Sequence, residues 1–198
     1  MIPLRTELGL KKFPIFTLLL CLVFLGVFFI PNLSEVSFFH FPTGIHLVSN
    51  IIYLWVFGAA VFERRGLVIP LLVGFLGAFL SGKTYFLLHP HAQFDLSLGE
   101  ALVGVVLGIY MRREIWGNVE TLVFGFKWFR VYLVPSYVHL FFWFFYLMVG
   151  NLFLTPPLSE APMLYWIHVF SFLWGFLAES ILGVMMKTHD DSTATTQP

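Results

Sequence analysis

The segment Ile45-His46-Leu47-Val48-Ser49-Asn50-Ile51-Ile52-Tyr53-Leu54-Trp55-Val56-Phe57-Gly58-Ala59-Ala60-Val61-Phe62 leads directly into Glu63-Arg64-Arg65-Gly66. The apolar part is close to the ~20 residues a helix needs to cross ~30 Å of hydrocarbon. His46 and Asn50 interrupt it near one end. Being four apart, they project from one helix face. The charges collect at the other end. A run with this pattern reads as a transmembrane helix whose basic end stays in the cytoplasm and whose polar face meets other helices.

Five more apolar runs flank it, so the predicted spans are 13–30, 45–62, 67–82, 96–111, 131–150 and 164–186. The first follows Arg5, Lys11 and Lys12 and loosely imitates a signal peptide. It is longer than a usual signal core and lacks a small-residue cleavage site, so it reads as a retained helix. The third and fourth are short, which suits a tight bundle or a locally thinned membrane.

Composition agrees. Of the 198 residues, 59% are hydrophobic and 11% are charged, and the mean hydropathy is +0.86. A soluble domain carries about a quarter of its residues charged, so a soluble globular protein is excluded. The 25 Phe and 6 Trp exclude disorder. Eleven Lys+Arg balance eleven Asp+Glu, which leaves no basic surplus to neutralise phosphate, so no nucleic-acid partner is expected. With Cys21 as the single cysteine, an internal disulfide and a cysteine-built metal site are both excluded.

With a cytoplasmic N-terminus, the inner segments hold Arg5, Lys11, Lys12, Arg64, Arg65, Arg112, Arg113, Lys127, Arg130 and Lys187, leaving only Lys83 outside. Positive charge is retained on the cytoplasmic side. The expected fold class is therefore an all-α membrane protein, a six-helix bundle with N- and C-termini cytoplasmic. Residues 1–12 form the N-terminal segment, 13–186 the membrane domain and 187–198 a disordered tail. The outer loops fall at 31–44, 83–95 and 151–163. The stretch 112–130 mixes charges with Trp116, Phe124, Phe126, Trp128 and Phe129, and reads as interfacial.

Polar residues inside spans carry the functional information, because each needs a partner or a wet cavity. His46, Asn50, Ser97, Glu100, His168 and Ser171 all fall in the outer halves of their helices, which predicts one polar cavity open to the outside. Ser171 reads as structural, its hydroxyl bonded to its own helix. His139 near Pro135 and Glu179 near the cytoplasmic end stand apart. Glycines at 74, 77, 99, 104, 108, 175 and 183 let helix backbones approach, and they place the fourth helix in the middle of the bundle.

These residues resemble a known family. His46-Leu47-Val48-Ser49-Asn50, then Leu54-Trp55-Val56-Phe57-Gly58 and Glu63-Arg64-Arg65-Gly66, closely resemble the second helix of rhomboid intramembrane serine proteases. His40 is similar to the outer-loop histidine that often precedes that helix. Leu76-Gly77-Ala78-Phe79-Leu80-Ser81-Gly82 looks like the family's next helix. His168-Val169-Phe170-Ser171-Phe172 with Gly175 resembles its sixth, with Ser171 replacing a glycine. The resemblance implies a six-helix rhomboid-like bundle and a Ser–His dyad. His168 would be the general base, and His46 and Asn50 would stabilise an oxyanion.

The fourth span departs from the pattern. The family's G-x-S-G-x-x-x-G is replaced by Ser97-Leu98-Gly99-Glu100-Ala101-Leu102-Val103-Gly104. Aligned on Gly104, Gly99 stands at the nucleophile; aligned on Gly108, Glu100 does. Ser97 lies two or three residues earlier, turned away by about 200° or raised by about 4.5 Å. The expectation is a proteolytically inactive rhomboid-like protein that binds transmembrane segments of client proteins. The alternatives are an active serine protease using Ser97 with His168, and a metal-dependent membrane hydrolase built on His46, His168 and Glu100. In the first reading Glu100 pairs with a histidine, and no cofactor or metal is expected. Its partners are the lipid bilayer and membrane-protein clients. No transit-like segment precedes the first span, so a bacterial cytoplasmic (inner) membrane is the expected setting.

Overall fold

The computed structural model describes residues 2–6, 14–30, 44–88, 98–124, 129–153 and 161–194. Strand β1 is Ile2–Thr6, and helix α1 is Ile15–Phe29. Helix α2 is continuous from Gly44–Tyr53 through a π-helical turn, Leu54–Gly58, into Ala59–Arg65. Helices α3 and α4 are Val68–Leu88 and Leu98–Glu114. Strands β2 and β3, Asn118–Phe124 and Phe129–Pro135, precede α5, Ser136–Phe153, and α6, Ala161–Ala194.

The described residues thus contain six helices. Three have stretches long and apolar enough to cross a membrane: His46–Arg65, Val68–Leu87 and Trp166–Val184. Ile15–Phe29 and Ser136–Leu147 are shorter apolar helices. Outward-facing Leu19 and Leu22 on α1, Leu72 and Leu76 on α3, Phe141 on α5 and Ile181 on α6 are all exposed. An exposed apolar surface this extensive suits lipid better than water.

Helix α4 is the centre. Every residue from Gly99 to Met111 is buried, as the glycine spacing predicts. Its closest neighbour is α6, and small residues are the reason. A Cβ on Gly104 would stand 2.7 Å from the His168 carbonyl oxygen. One on Gly108 would collide with the Phe172 carbonyl oxygen, and one on Gly175 with that of Val105. The two backbones therefore touch, as at other small-residue membrane contacts. Helix α3 joins the same packing through Gly74 against Leu102 and Gly77 against Val105. At the α2–α3 turn Gly66 takes φ 69°, a conformation glycine adopts without steric cost.

The expectation of an all-α chain is corrected. β1, β2 and β3 form a three-stranded antiparallel sheet in that order. Arg5 stands opposite Glu120 and Thr6 opposite Val119, while Val119 also pairs with Val134 on β3. Of the stretch read as interfacial, 118–124 and 129–130 are strand and 112–114 end α4, while 125–128 lie outside the described residues. Residues 131–135, assigned to the fifth span, belong to β3, and the helix begins at Ser136. Val131-Tyr132-Leu133-Val134 is apolar and partly β-branched, and a run this short does not distinguish strand from helix by periodicity.

Two further boundaries move. Helix α3 has 21 residues and passes through Lys83, so the third span is not short. Helix α6 continues to Ala194, past the expected start of the tail at 187.

The sheet gathers one end of the bundle, because β1 precedes α1 and β2 follows α4. At the sheet Arg5 donates to the Glu120 carboxylate at 2.7 and 2.8 Å. Arg64 meets Glu114. Arg65 and Arg113 both pair with the buried Glu179 of α6, and Arg112 donates to Ser180 Oγ at 2.8 Å. Basic residues from three elements, β1, α2 and α4, thus lie toward the end that the sequence reading expects to be cytoplasmic.

Candidate functional site

Toward the opposite end, three helices bring four polar side chains together. The first turn of α4 supplies Glu100, where the amide dipoles of a helix N-terminus favour a carboxylate. Helix α2 supplies His46 and Asn50 one turn apart, above its π-helical turn. Helix α6 supplies His168, whose position beside Glu100 follows from the contact between its own carbonyl and Gly104, one turn further along α4.

All of them converge on one atom. Glu100 Oε2 lies 2.6 Å from His168 Nε2 and 2.9 Å from His46 Nε2. Asn50 Nδ2 donates to the same oxygen at 2.8 Å. The imidazoles meet edge to face, with ring centroids 5.3 Å apart. The other carboxylate oxygen, Oε1, is buried and accepts no hydrogen bond from the described residues.

Here the expected open cavity is corrected. Asn50, Glu100 and His168 are buried, and only His46 retains exposure, 14% of its side chain. Trp143 of α5 closes one side, its ring centroid 5.4 Å from that of His168. Burying a carboxylate this deeply requires charge or hydrogen-bond compensation, and the three converging side chains supply it.

Of the sequence-derived candidates, His46, Asn50, Glu100 and His168 come together. Gly99 is buried beside Glu100 on α4. Ser97 and His40 lie outside the described residues. Ser171 belongs to a neighbouring contact: its Oγ is 3.0 Å from Ser81 Oγ on α3, so it bridges two helices. His139 binds Thr121 Oγ1 of β2 at 2.7 Å through Nε2, while its carbonyl accepts from Tyr53 Oη at 3.3 Å. It ties the sheet to the bundle.

Two features were not anticipated. Trp143 lies in an aromatic-rich run where no spacing marks it out. The Arg65–Glu179–Arg113 cluster had a signal, a carboxylate in a span near two basic pairs, but its pairing depends on how α2, α4 and α6 pack.

No protein-family model, curated protein or solved structure matches the chain. The rhomboid resemblance therefore rests on the motif residues themselves.

Proposed function

We propose that this chain is a rhomboid-like multi-pass membrane protein that does not cleave peptide bonds and instead binds transmembrane segments of other proteins. The observation that carries the reading is the 2.6 Å contact between Glu100 Oε2 and His168 Nε2. A serine protease needs a hydroxyl within hydrogen-bond reach of its base. In this chain a carboxylate takes that place. His46 and Asn50, which the resemblance assigns to the oxyanion, are also directed at Glu100. A fixed negative charge at that point opposes the charge an acyl-transfer transition state would develop.

Client binding follows from the resemblance and stands as analogy. It is supported by spanning helices with apolar outer faces around a polar centre near one end. A cytoplasmic sheet end is supported by the arginines gathered there, and six spans with cytoplasmic termini in a bacterial inner membrane are part of the same proposal.

The test is labelling of the detergent-purified protein with a fluorophosphonate probe, beside Ser97→Ala and His168→Ala variants. No labelling of folded protein is the expected result. Labelling that both substitutions abolish would overturn the reading and establish a Ser97–His168 protease.

A further inference from the structure

We infer that His46, Glu100 and His168 form a binding site for a divalent transition-metal ion of the zinc class. The inference goes beyond client binding and rests on the cluster alone. One ligand atom from each residue lies within 4.8 Å of the others. Two imidazoles and a carboxylate, with no thiolate, are a donor set that zinc accepts.

The hydrogen-bond arithmetic at Glu100 favours an ion over a purely protonic cluster. A carboxylate oxygen has two lone pairs, and Oε2 is approached by three nitrogens at 2.6–2.9 Å. Oε1 meanwhile accepts nothing from the described residues. Were all three nitrogens donors, one oxygen would be oversubscribed and its twin left unsatisfied in a buried site, which is costly. A cation relieves the crowding at Oε2. The two Nε2 atoms turn lone pairs toward it, the carboxylate becomes its third ligand, and Asn50 keeps its hydrogen bond to that carboxylate.

Ligands about 2.0–2.1 Å from a tetrahedral ion stand roughly 3.3 Å apart, and the present separations from Oε2 are 2.6 and 2.9 Å. Each of those two separations must therefore open by less than about 1 Å, and the three ligand atoms already lie within 4.8 Å of one another. The charge also fits, since a dication offsets the buried carboxylate without a protonated histidine. Three protein ligands leave a fourth position for an exchangeable oxygen ligand. Asn50 is a positioning residue, holding the carboxylate from behind as outer-shell partners of metal ligands do.

The experiment strips the full-length, detergent-purified protein with a chelator, dialyses it, and titrates it with zinc chloride. Retained metal is counted by mass spectrometry. A single zinc per chain is expected, with affinity at least about tenfold weaker in Glu100→Gln and in His168→Ala. His139→Gln, a substitution outside the cluster, should bind as the unmodified chain does. Should His168→Ala fail to fold by circular dichroism, His46→Ala, at the partly exposed edge, replaces it. Failure of the folded parent chain to retain zinc overturns the site, as does equal retention by the Glu100 and His168 variants. A silent fluorophosphonate probe with no zinc bound leaves the non-catalytic reading standing and removes only the metal. Serine-dependent labelling with zinc bound does the reverse.

Discussion

The Glu100 carboxylate and the His168 imidazole meet at 2.6 Å, with both side chains fully buried. That proximity is a consequence of helix packing. Gly104 lets α6 rest its His168 carbonyl against α4, one turn below Glu100. On the function proposed above, this contact withholds His168 Nε2 from a serine nucleophile.

Truncating Glu100 to Ala removes the carboxylate on which His46, Asn50 and His168 converge. Breaking a buried ionic or charge-assisted cluster from one side costs about 3–5 kcal/mol. A loss near that size is expected in thermal unfolding of the purified protein. Glu100→Gln, which keeps an acceptor, should lose less. If Glu100→Ala unfolded like the unmodified chain, the cluster would not be holding α2, α4 and α6 together.

Gly108→Ala and Gly175→Ala each place a methyl group against backbone of the facing helix. Backbone yields less readily than a flexible side chain, so α4 and α6 must part. Overpacking of this kind costs about 1–3 kcal/mol. Gly183→Ala meets nothing within 4 Å and should be neutral or gain up to ~1 kcal/mol from helix propensity. Comparing the three melting temperatures tests the close contact directly.

Glu179 binds two arginines from different helices while almost wholly buried. Glu179→Ala should cost about 3–5 kcal/mol. Arg113→Ala should cost clearly less, because that side chain is 36% exposed and solvent screens its share. Equal losses in a denaturant titration would contradict this ranking.

Ser81 and Ser171 satisfy one another between α3 and α6. Replacing either serine by Ala leaves a buried hydroxyl unpaired, which costs about 1–3 kcal/mol. Replacing both should cost less than the sum of the two, and a double-mutant cycle measures the difference.

At the sheet, hydrogen bonding from Arg5 holds the Glu120 carboxyl below its ordinary range. A depressed carboxylate stabilises the fold above its unfolded value of 4.5, and that contribution is lost as pH falls through the folded value. The pair is exposed, so the effect is small. Any melting-temperature gap between the unmodified chain and Glu120→Gln at about pH 7 should close in acid, well below the carboxylate range.

Much of the helical pattern was legible because burial in lipid selects apolar runs whatever their neighbours. The predicted runs lie within a few residues of five of the six helix starts. The sheet was not legible. β1 and β2 pair across more than a hundred residues, as Arg5 and Glu120 show, and backbone hydrogen bonding between remote segments leaves no periodic mark on either. Val131–Pro135 was drawn into a span for a related reason: its apolar character is real, but its partner β2 decides the strand.

The sequence by itself determined which residues had to find company: His46, Asn50, Glu100, His168 and Glu179 are polar groups in helices that otherwise exclude them. The desolvation cost that makes them conspicuous is a property of each side chain, readable one at a time. Which of them meet was a tertiary decision. The glycines of α4 and α6 set how closely the helices approach and in what register. That register directed both histidines and Asn50 onto a single Glu100 oxygen, and sent Glu179 to the arginines at the far end.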